Sequence, residues 1–269
     1  MRLFRTMVVR VLQFTDTHLF ATAAGRMKGV DTSACLAAVL EQAFSFHEAD
    51  IVVLTGDLSQ DESEESYINL ADLLSRYHRE IHWLPGNHDC KPLMKEVFSA
   101  YPAFKAALSR QIGPWRFLFL DSAVEGRVEG ELSASELARA RTWLIEHSGD
   151  CYRAIFLHHN PVTMDSRRED RMMLRNSEVF EALLAENGGV EAVIFGHVHQ
   201  DCVQGRGSTL YIASPSTCVQ FRPTATGLTI DRKAPGYRYI EFAGDGAVKT
   251  ETFRVGSLPE GLKLIEGDL

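Results

Sequence analysis

Six of the chain's ten histidines fall in five short polar clusters, each directly after an apolar run. The clusters are Thr15-Asp16-Thr17-His18, Thr55-Gly56-Asp57-Leu58, Pro85-Gly86-Asn87-His88-Asp89, His158-His159-Asn160-Pro161 and Gly196-His197-Val198-His199. Asp16 with His18, and His197 with His199, are spaced by two, so an extended backbone would point both members of each pair to one side. Asp57 and Asn87 each follow a glycine, which lets the chain turn sharply where a strand ends. Carboxylate, amide and imidazole donors without a thiolate suit Mn, Fe, Co or Zn. Two aspartates, an asparagine and four histidines are too many for one tetrahedral zinc. They suit two ions sharing a bridging carboxylate.

Some pieces alone have a plainer explanation, although Gly-His-Val-His leans towards metal even by itself. Asp-x-His at a strand end is more often a surface turn, and Gly-Asn-His-Asp is as often a turn as a ligand loop. Five such clusters in this order have no comparable explanation. The other histidines, His47, His78, His82 and His147, lie in or beside helices and strand edges and read as packing or solvated residues.

The elements that must position these clusters follow from period and punctuation. Strands are expected at Val8–Phe14, Ile51–Thr55, Ile81–Leu84, Phe117–Asp121, Ala154–Leu157 and Ala192–Phe195. Helices are expected at Ser33–Phe46, Ser63–Tyr77, Pro92–Ala100, Ser133–His147 and Ser177–Asn187, with Ser133 and Glu136 forming a capping box. After Gly207 the pattern is strands alone: Thr209–Ala213, Gly227–Ile230, Tyr237–Phe242 and Val248–Arg254. Alternating β and α units imply buried parallel strands, and the terminal run implies an antiparallel addition. Ligands of open α/β sheets sit beyond the carboxyl ends of the strands, so the five clusters should converge. No linker or repeat interrupts the 269 residues, which read as a single domain, 1–269.

Composition narrows the chemistry further. Hydrophobic residues at 45% and charged residues at 24% suit a globular chain. A net charge of −8 argues against a long nucleic-acid partner but not against a small anion met by metal charge. Five scattered cysteines make a poor disulfide framework, and a free thiol is the better reading of Cys90. The apolar runs are too short to span a bilayer, and no signal-peptide core fits between the N-terminal arginines. A cytoplasmic protein without a membrane partner is expected.

The clusters resemble the five motifs of the calcineurin-like metallophosphoesterases. The stretches around Asp16, 55–61 and 83–89, with Leu174-Arg175-Asn176, 215–221 and 234–238, are similar to the bacterial class III cyclic-AMP phosphodiesterases. That resemblance implies a four-layer α/β/β/α sandwich with a dimetal site at the carboxyl ends of its strands. It implies Asp16, His18 and His199 on one metal, Asn87, His158 and His197 on the other, and Asp57 between them. The metals would be Fe and/or Mn, with Zn or Co as alternatives. Aligned without a gap, His158 is the ligand and His159 a supporting or structural residue. His88 corresponds to the family's non-ligand histidine beside the substrate phosphate, with Asp89 orienting its ring.

The implied reaction is hydrolysis of 3′,5′-cyclic AMP to 5′-AMP by a hydroxide that the two metals activate. His18, Asp57, Asn87 and His88 would meet the nucleotide, with Arg175 and Asn176 as further candidates for substrate contact. Ser216, Thr217 and Gln220 are candidates for the pocket floor, with a β-turn and a packed Phe221 as the slightly favoured reading. The alternative is another phosphoesterase on the same scaffold, acting on 2′,3′-cyclic nucleotides or other small diesters. A metal-free binding scaffold should have lost ligands, and none is missing. Family members can pair, which leaves a homodimer open, although no interface is legible.

Overall fold

The computed structural model describes residues 7–106, 108–223 and 229–264. The chain runs β1 (Val8–Phe14), α1 (Thr32–Phe46), β2 (Ile51–Thr55), α2 (Glu64–Ser75), β3 (Glu80–Leu84), α3 (Lys91–Ser99), β4 (Phe104–Lys105), β5 (Ser109–Ile112), β6 (Trp115–Phe119) and α4 (Ala134–Glu146). It continues with β7 (Tyr152–Phe156), α5 (Arg167–Arg171), α6 (Ser177–Glu186), β8 (Ala192–Phe195), β9 (Cys202–Arg206), β10 (Thr209–Ala213), β11 (Gln220–Phe221), β12 (Ile230–Asp231), β13 (Gly236–Ala243) and β14 (Val248–Arg254).

Two six-stranded sheets result, ordered β14-β13-β1-β2-β3-β4 and β5-β6-β7-β8-β10-β9. Side chains alternate across β1 as the period-two rule requires. Val9 and Val11 face the second sheet, where they meet Phe117, Phe156 and Ile194. Leu12 and Phe14 face outward onto Leu36 and Leu40 of α1 and Leu70 of α2. On the far side, Ile155 and Val193 lie beneath Trp143 of α4 and Phe180 of α6. The expected α/β/β/α layering is therefore present.

Local chemistry starts the helices. Asp31 and Ser63 accept from Ala34 N and Ser66 N at the amino ends of α1 and α2. The expected capping box of α4 is only half made. Ser133 accepts from Glu136 N, but the Glu136 carboxylate turns to Asp121 N at 2.9 Å and to Arg139.

Three corrections concern the strands. Thr209–Ala213 does not belong to an antiparallel addition, because β10 runs parallel to β8 inside the second sheet. Only β13 and β14 form that addition, with Val11 opposite Ile240 across β1 and β13. Edge strands β5 and β9 were not anticipated: they are mostly exposed, so no apolar alternation marks them. Of the expected strand at 227–230, residues 227 and 228 lie outside the described residues, and Ile230 pairs with Phe221.

One polar group breaks the central apolar layer, just below the strand ends. Gln13 donates to Thr55 Oγ1 at 2.8 Å and to Phe195 O at 3.3 Å, tying one sheet to the other. Ser214 donates to Gln13, and Arg238 donates to Ser214 Oγ and Ala213 O. Among the described residues no helix is long and apolar enough to cross a membrane.

Candidate metal centre

All five clusters sit at the carboxyl ends of parallel strands and are stitched to one another. Asp16 N and His18 N donate to Gly56 O and Asp57 O, and Gly196 N donates to His158 O. The His197 amide donates to both oxygens of Asp16, and the His88 amide donates to Asp57 Oδ1 at 2.9 Å. The backbone that presents the ligands is not extended. Asp16, His18, Asp57, His197 and His199 have φ of 53°, 45°, 51°, 67° and 50°. The spacing of two therefore brings each pair to one side through alternate left-handed residues, a conformation that costs of order 1 kcal/mol or more each.

The glycines do two different jobs. Gly56, at φ 92°, makes the turn that was expected. Gly86 and Gly196 are required by close approach instead. A Cβ on Gly86 would lie 2.1 Å from Asp57 Oδ1, and one on Gly196 would lie 2.0 Å from Thr15 Oγ1.

The ligand atoms group as the donor chemistry demands. Asp16, His18 and His199 bring ligand atoms within 4.8 Å of one another, and so do Asp16, Asp57 and His158. His158 Nδ1 lies 2.6 Å from Thr55 O, and His199 Nδ1 lies 2.7 Å from Val219 O. Each of those nitrogens must carry the proton, which leaves both Nε2 lone pairs facing inward. His158 Nε2 then faces Asp57 Oδ1 at 3.3 Å and Asn87 Oδ1 at 3.3 Å, while His199 Nε2 faces Asp16 Oδ1 at 3.3 Å and His18 Nε2 at 3.1 Å. Acceptors facing acceptors in a dry site repel unless a metal ion or a proton lies between them. Asp57 reaches both halves, with its other oxygen 3.8 Å from His18 Nε2. His197 Nε2 and His18 Nδ1 are buried without a partner. These residues fit two metal ions.

Electrostatics point the same way. Burial works to lower the His158 pKa, but the facing Asp57 carboxylate overrides it and carries it up to about 9, so that without a metal a proton on Nε2 takes the place that a cation would fill. Burial also works to raise the Asp57 and Asp16 pKa values, and attraction to His158 and His199 respectively overrides it and lowers both. His18, which burial holds down to about 3, and His197, lowered well below the ordinary imidazole value by burial and then by His159, are in the neutral form that metal binding requires.

His159 is not free for a metal. Its ring nitrogens lie 2.8 Å from Ser122 Oγ and 3.1 Å from Val128 O, and Gly130 packs against the ring so closely that a Cβ there would sit 2.4 Å away. His88 is half-buried, and its ring stands 5.1 Å from that of His18. Its ring partner is Gln60, whose Nε2 lies 3.4 Å from His88 Nδ1, and not Asp89 as expected. Asp89 is spent on backbone: its carboxylate accepts from Leu58 N, Ser59 N and Gly86 N and from the Tyr67 hydroxyl. Burial, then the Asp57 charge, push the Asp89 pKa up to about 7 against those donors.

The substrate candidates divide. A cavity of about 470 Å³ opens above the ligands, and His18, Asp57, Asn87 and His88 line it. Arg175 and Asn176 do not. Arg175 is half exposed, 3.6 Å from Glu129, and Asn176 exchanges two hydrogen bonds with the Leu132 backbone. Ser216, Thr217 and Gln220 are buried beneath the site rather than on the pocket floor, with Ser216 Oγ donating to Asp16 O at 2.7 Å. Gln60, Phe20, Lys28, Arg168, Met172 and Phe221 are among the other residues of the cavity wall. Sequence reasoning named none of them as pocket residues. Gln60 and Phe221 lie inside stretches already singled out, whereas Arg168 sits in a charged run without apolar period.

Residues 9–201 match the profile of the calcineurin-like phosphoesterases. The chain is 36% identical over 250 residues to the 3′,5′-cyclic adenosine monophosphate phosphodiesterase CpdA of Haemophilus influenzae, covering 92% of this chain and 90% of that protein. It is 37% identical over 254 residues to the Escherichia coli protein of that name, with the same coverage. Among solved structures, a dimetal phosphatase from Danio rerio superposes with a TM-score of 0.65 at 14% identity, covering 91% of this chain and 98% of that one. That likeness concerns the fold.

Proposed function

The chain belongs to the calcineurin-like phosphoesterase family, and from that premise we propose that it hydrolyses 3′,5′-cyclic AMP to 5′-AMP as part of second-messenger turnover. Relatives bearing that activity in their names match nine-tenths of the chain. The observation that carries the chemistry is the pair of inward Nε2 lone pairs on His158 and His199, each 3.3 Å from a carboxylate oxygen. Asp16, His18 and His199 would hold one ion, Asn87, His158 and His197 the other, and Asp57 would bridge them. Fe and/or Mn suit this oxygen and imidazole set, with Zn or Co as substitutes. When bound, two such ions neutralise the phosphoryl oxygens and lower the pKa of a water so that hydroxide is available near neutral pH.

The chain's own residues do the rest. Thr55 and Val219 carbonyls fix the His158 and His199 rings, and Thr15 donates to Asp16 Oδ2 at 2.7 Å. Gln60, donating to His88 Nδ1, leaves the imidazole proton on Nε2. As the bond from phosphorus to the 3′ oxygen opens, His88 stabilises the phosphoryl oxygens or passes that proton to the leaving oxygen. A cytoplasmic messenger as substrate fits a cytoplasmic enzyme.

Steady-state kinetics over 3′,5′- and 2′,3′-cyclic nucleotides, linear DNA and an aryl phosphodiester test the assignment, using protein whose metal content has been measured. The expected order puts 3′,5′-cyclic AMP well ahead. Activity on it no better than on the aryl diester would overturn the reading, as would protein prepared without chelator that holds no transition metal.

A further inference from the structure

Arg168 lines the cavity in an environment unlike that of a simple phosphate-binding cation. It stands on the five-residue helix α5, which Asp170 anchors by accepting from Met164 N at 2.7 Å. Its Nη1 donates to the buried Glu169 carboxylate at 3.0 Å, and Ser166 Oγ donates to the other oxygen of that carboxylate. Its guanidinium carbon lies 5.1 Å from the centroid of the Phe221 ring. Phe221 in turn stacks on the ligand His199, with centroids 4.2 Å apart and planes at 12°.

Three features of this arrangement matter. The charge of Arg168 is largely matched by Glu169, so it adds little to what metal ions would do for a phosphate. Its guanidinium lies against the Phe221 ring and is tied by the ion pair to Glu169, so the side chain loses little freedom on binding. It lies one aromatic ring further out than His199, with Met172, Val128 and Phe20 among the apolar neighbours that line the same cavity. What remains to such a group is a flat, polarisable face and N–H donors, beside apolar walls. That combination suits a neutral planar heterocycle rather than an anion.

Resting on the cyclic-nucleotide reading, we propose that Arg168, backed by Phe221, is a specificity-determining residue that binds the nucleobase of the substrate. The phosphate is left to the metal-site residues and His88. The side chain is about a third exposed, but its replacement takes the cation from the buried Glu169, so the Tm of each variant is measured beside its kinetics.

Arg168→Ala and Arg168→Lys would be assayed on metal-loaded enzyme with two substrates, 3′,5′-cyclic AMP and ethyl 4-nitrophenyl phosphate, a diester with no base. Alanine should raise KM for cyclic AMP about tenfold, the scale of one arginine–base contact, with kcat within about twofold and the simple diester unaffected. Lysine should restore little, because it keeps the charge and loses the plane. Equal losses on both substrates, or rescue by lysine, would make Arg168 a phosphate group and overturn the proposal. An unchanged KM for cyclic AMP would overturn it equally. Wild-type enzyme that cleaves only the simple diester would instead overturn the cyclic AMP assignment, and this proposal with it.

Discussion

Left-handed backbone at five ligand positions is the residue-scale device that turns a line of loop residues into a cage. It works only because the neighbouring glycines let loops touch. A methyl on Gly86 would meet Asp57 Oδ1 at 2.1 Å and Asp57 N at 2.4 Å, both in a wall that cannot retreat. Gly86→Ala should therefore lower metal occupancy and cut kcat/KM by at least about a hundredfold, the cost of misplacing a site by roughly 1 Å. Elemental analysis beside kinetics checks this, and full occupancy with normal turnover would contradict it. His88→Ala should behave differently. The metals should stay bound while kcat falls about a hundredfold to ten-thousandfold, the range for a positioned acid. A variant that keeps full activity would remove His88 from the mechanism.

At the scale of elements, the loops after β2 and β3 are held together by Asp89. Its carboxylate gathers the Leu58, Ser59 and Gly86 amides, so it sets the position of Asp57 and Asn87 without touching substrate. Asp89→Asn turns one acceptor into a donor facing those amides, and a loss of about 2–3 kcal/mol in unfolding free energy is expected. Denaturant titration of both proteins would show it, and coincident midpoints would refute it.

A second element-scale effect lies at His82 on β3, stacked on Phe119 of the opposite sheet at 4.6 Å. Burial lowers its pKa below the ordinary 6.5, although the Glu80 carboxylate pulls the other way. Below pH 6.5 the unfolded chain takes up a proton here that the folded chain resists, so this contribution to stability is present above 6.5 and lost as pH falls. His82→Gln should thus show a smaller drop in Tm between pH 7.5 and pH 5 than wild type. Parallel Tm curves for the two proteins would show that His82 contributes nothing to the acid limb.

For the whole molecule, one apolar layer is shared by both sheets and needs no metal. Phe117, Phe156 and Ile194 of one sheet interlock with Val9, Val11 and Phe242 of the other. Chelation should abolish activity and lower Tm, because metal binds the folded state alone, yet circular dichroism should keep its native shape and unfolding should remain one transition. Two transitions, or collapse of the fold on chelation, would be incompatible with this layer as the common core.

The five strand-end clusters with their candidate donors, and the alternation of elements, are legible in the chain alone, because few residue types bind metal and apolar period reports burial directly. His82 and His147 also stand apart from the clusters, packed on Phe119 and on Trp143. Only the tertiary structure decided how the backbone presents those donors, that β10 joins the parallel strands, and that Asp89 serves the loops while Gln60 meets His88. Only there do Arg168 and Phe221 meet, 53 residues apart in the chain. Such contacts depend on where loops from different strands come to rest, and no local pattern in a chain encodes that.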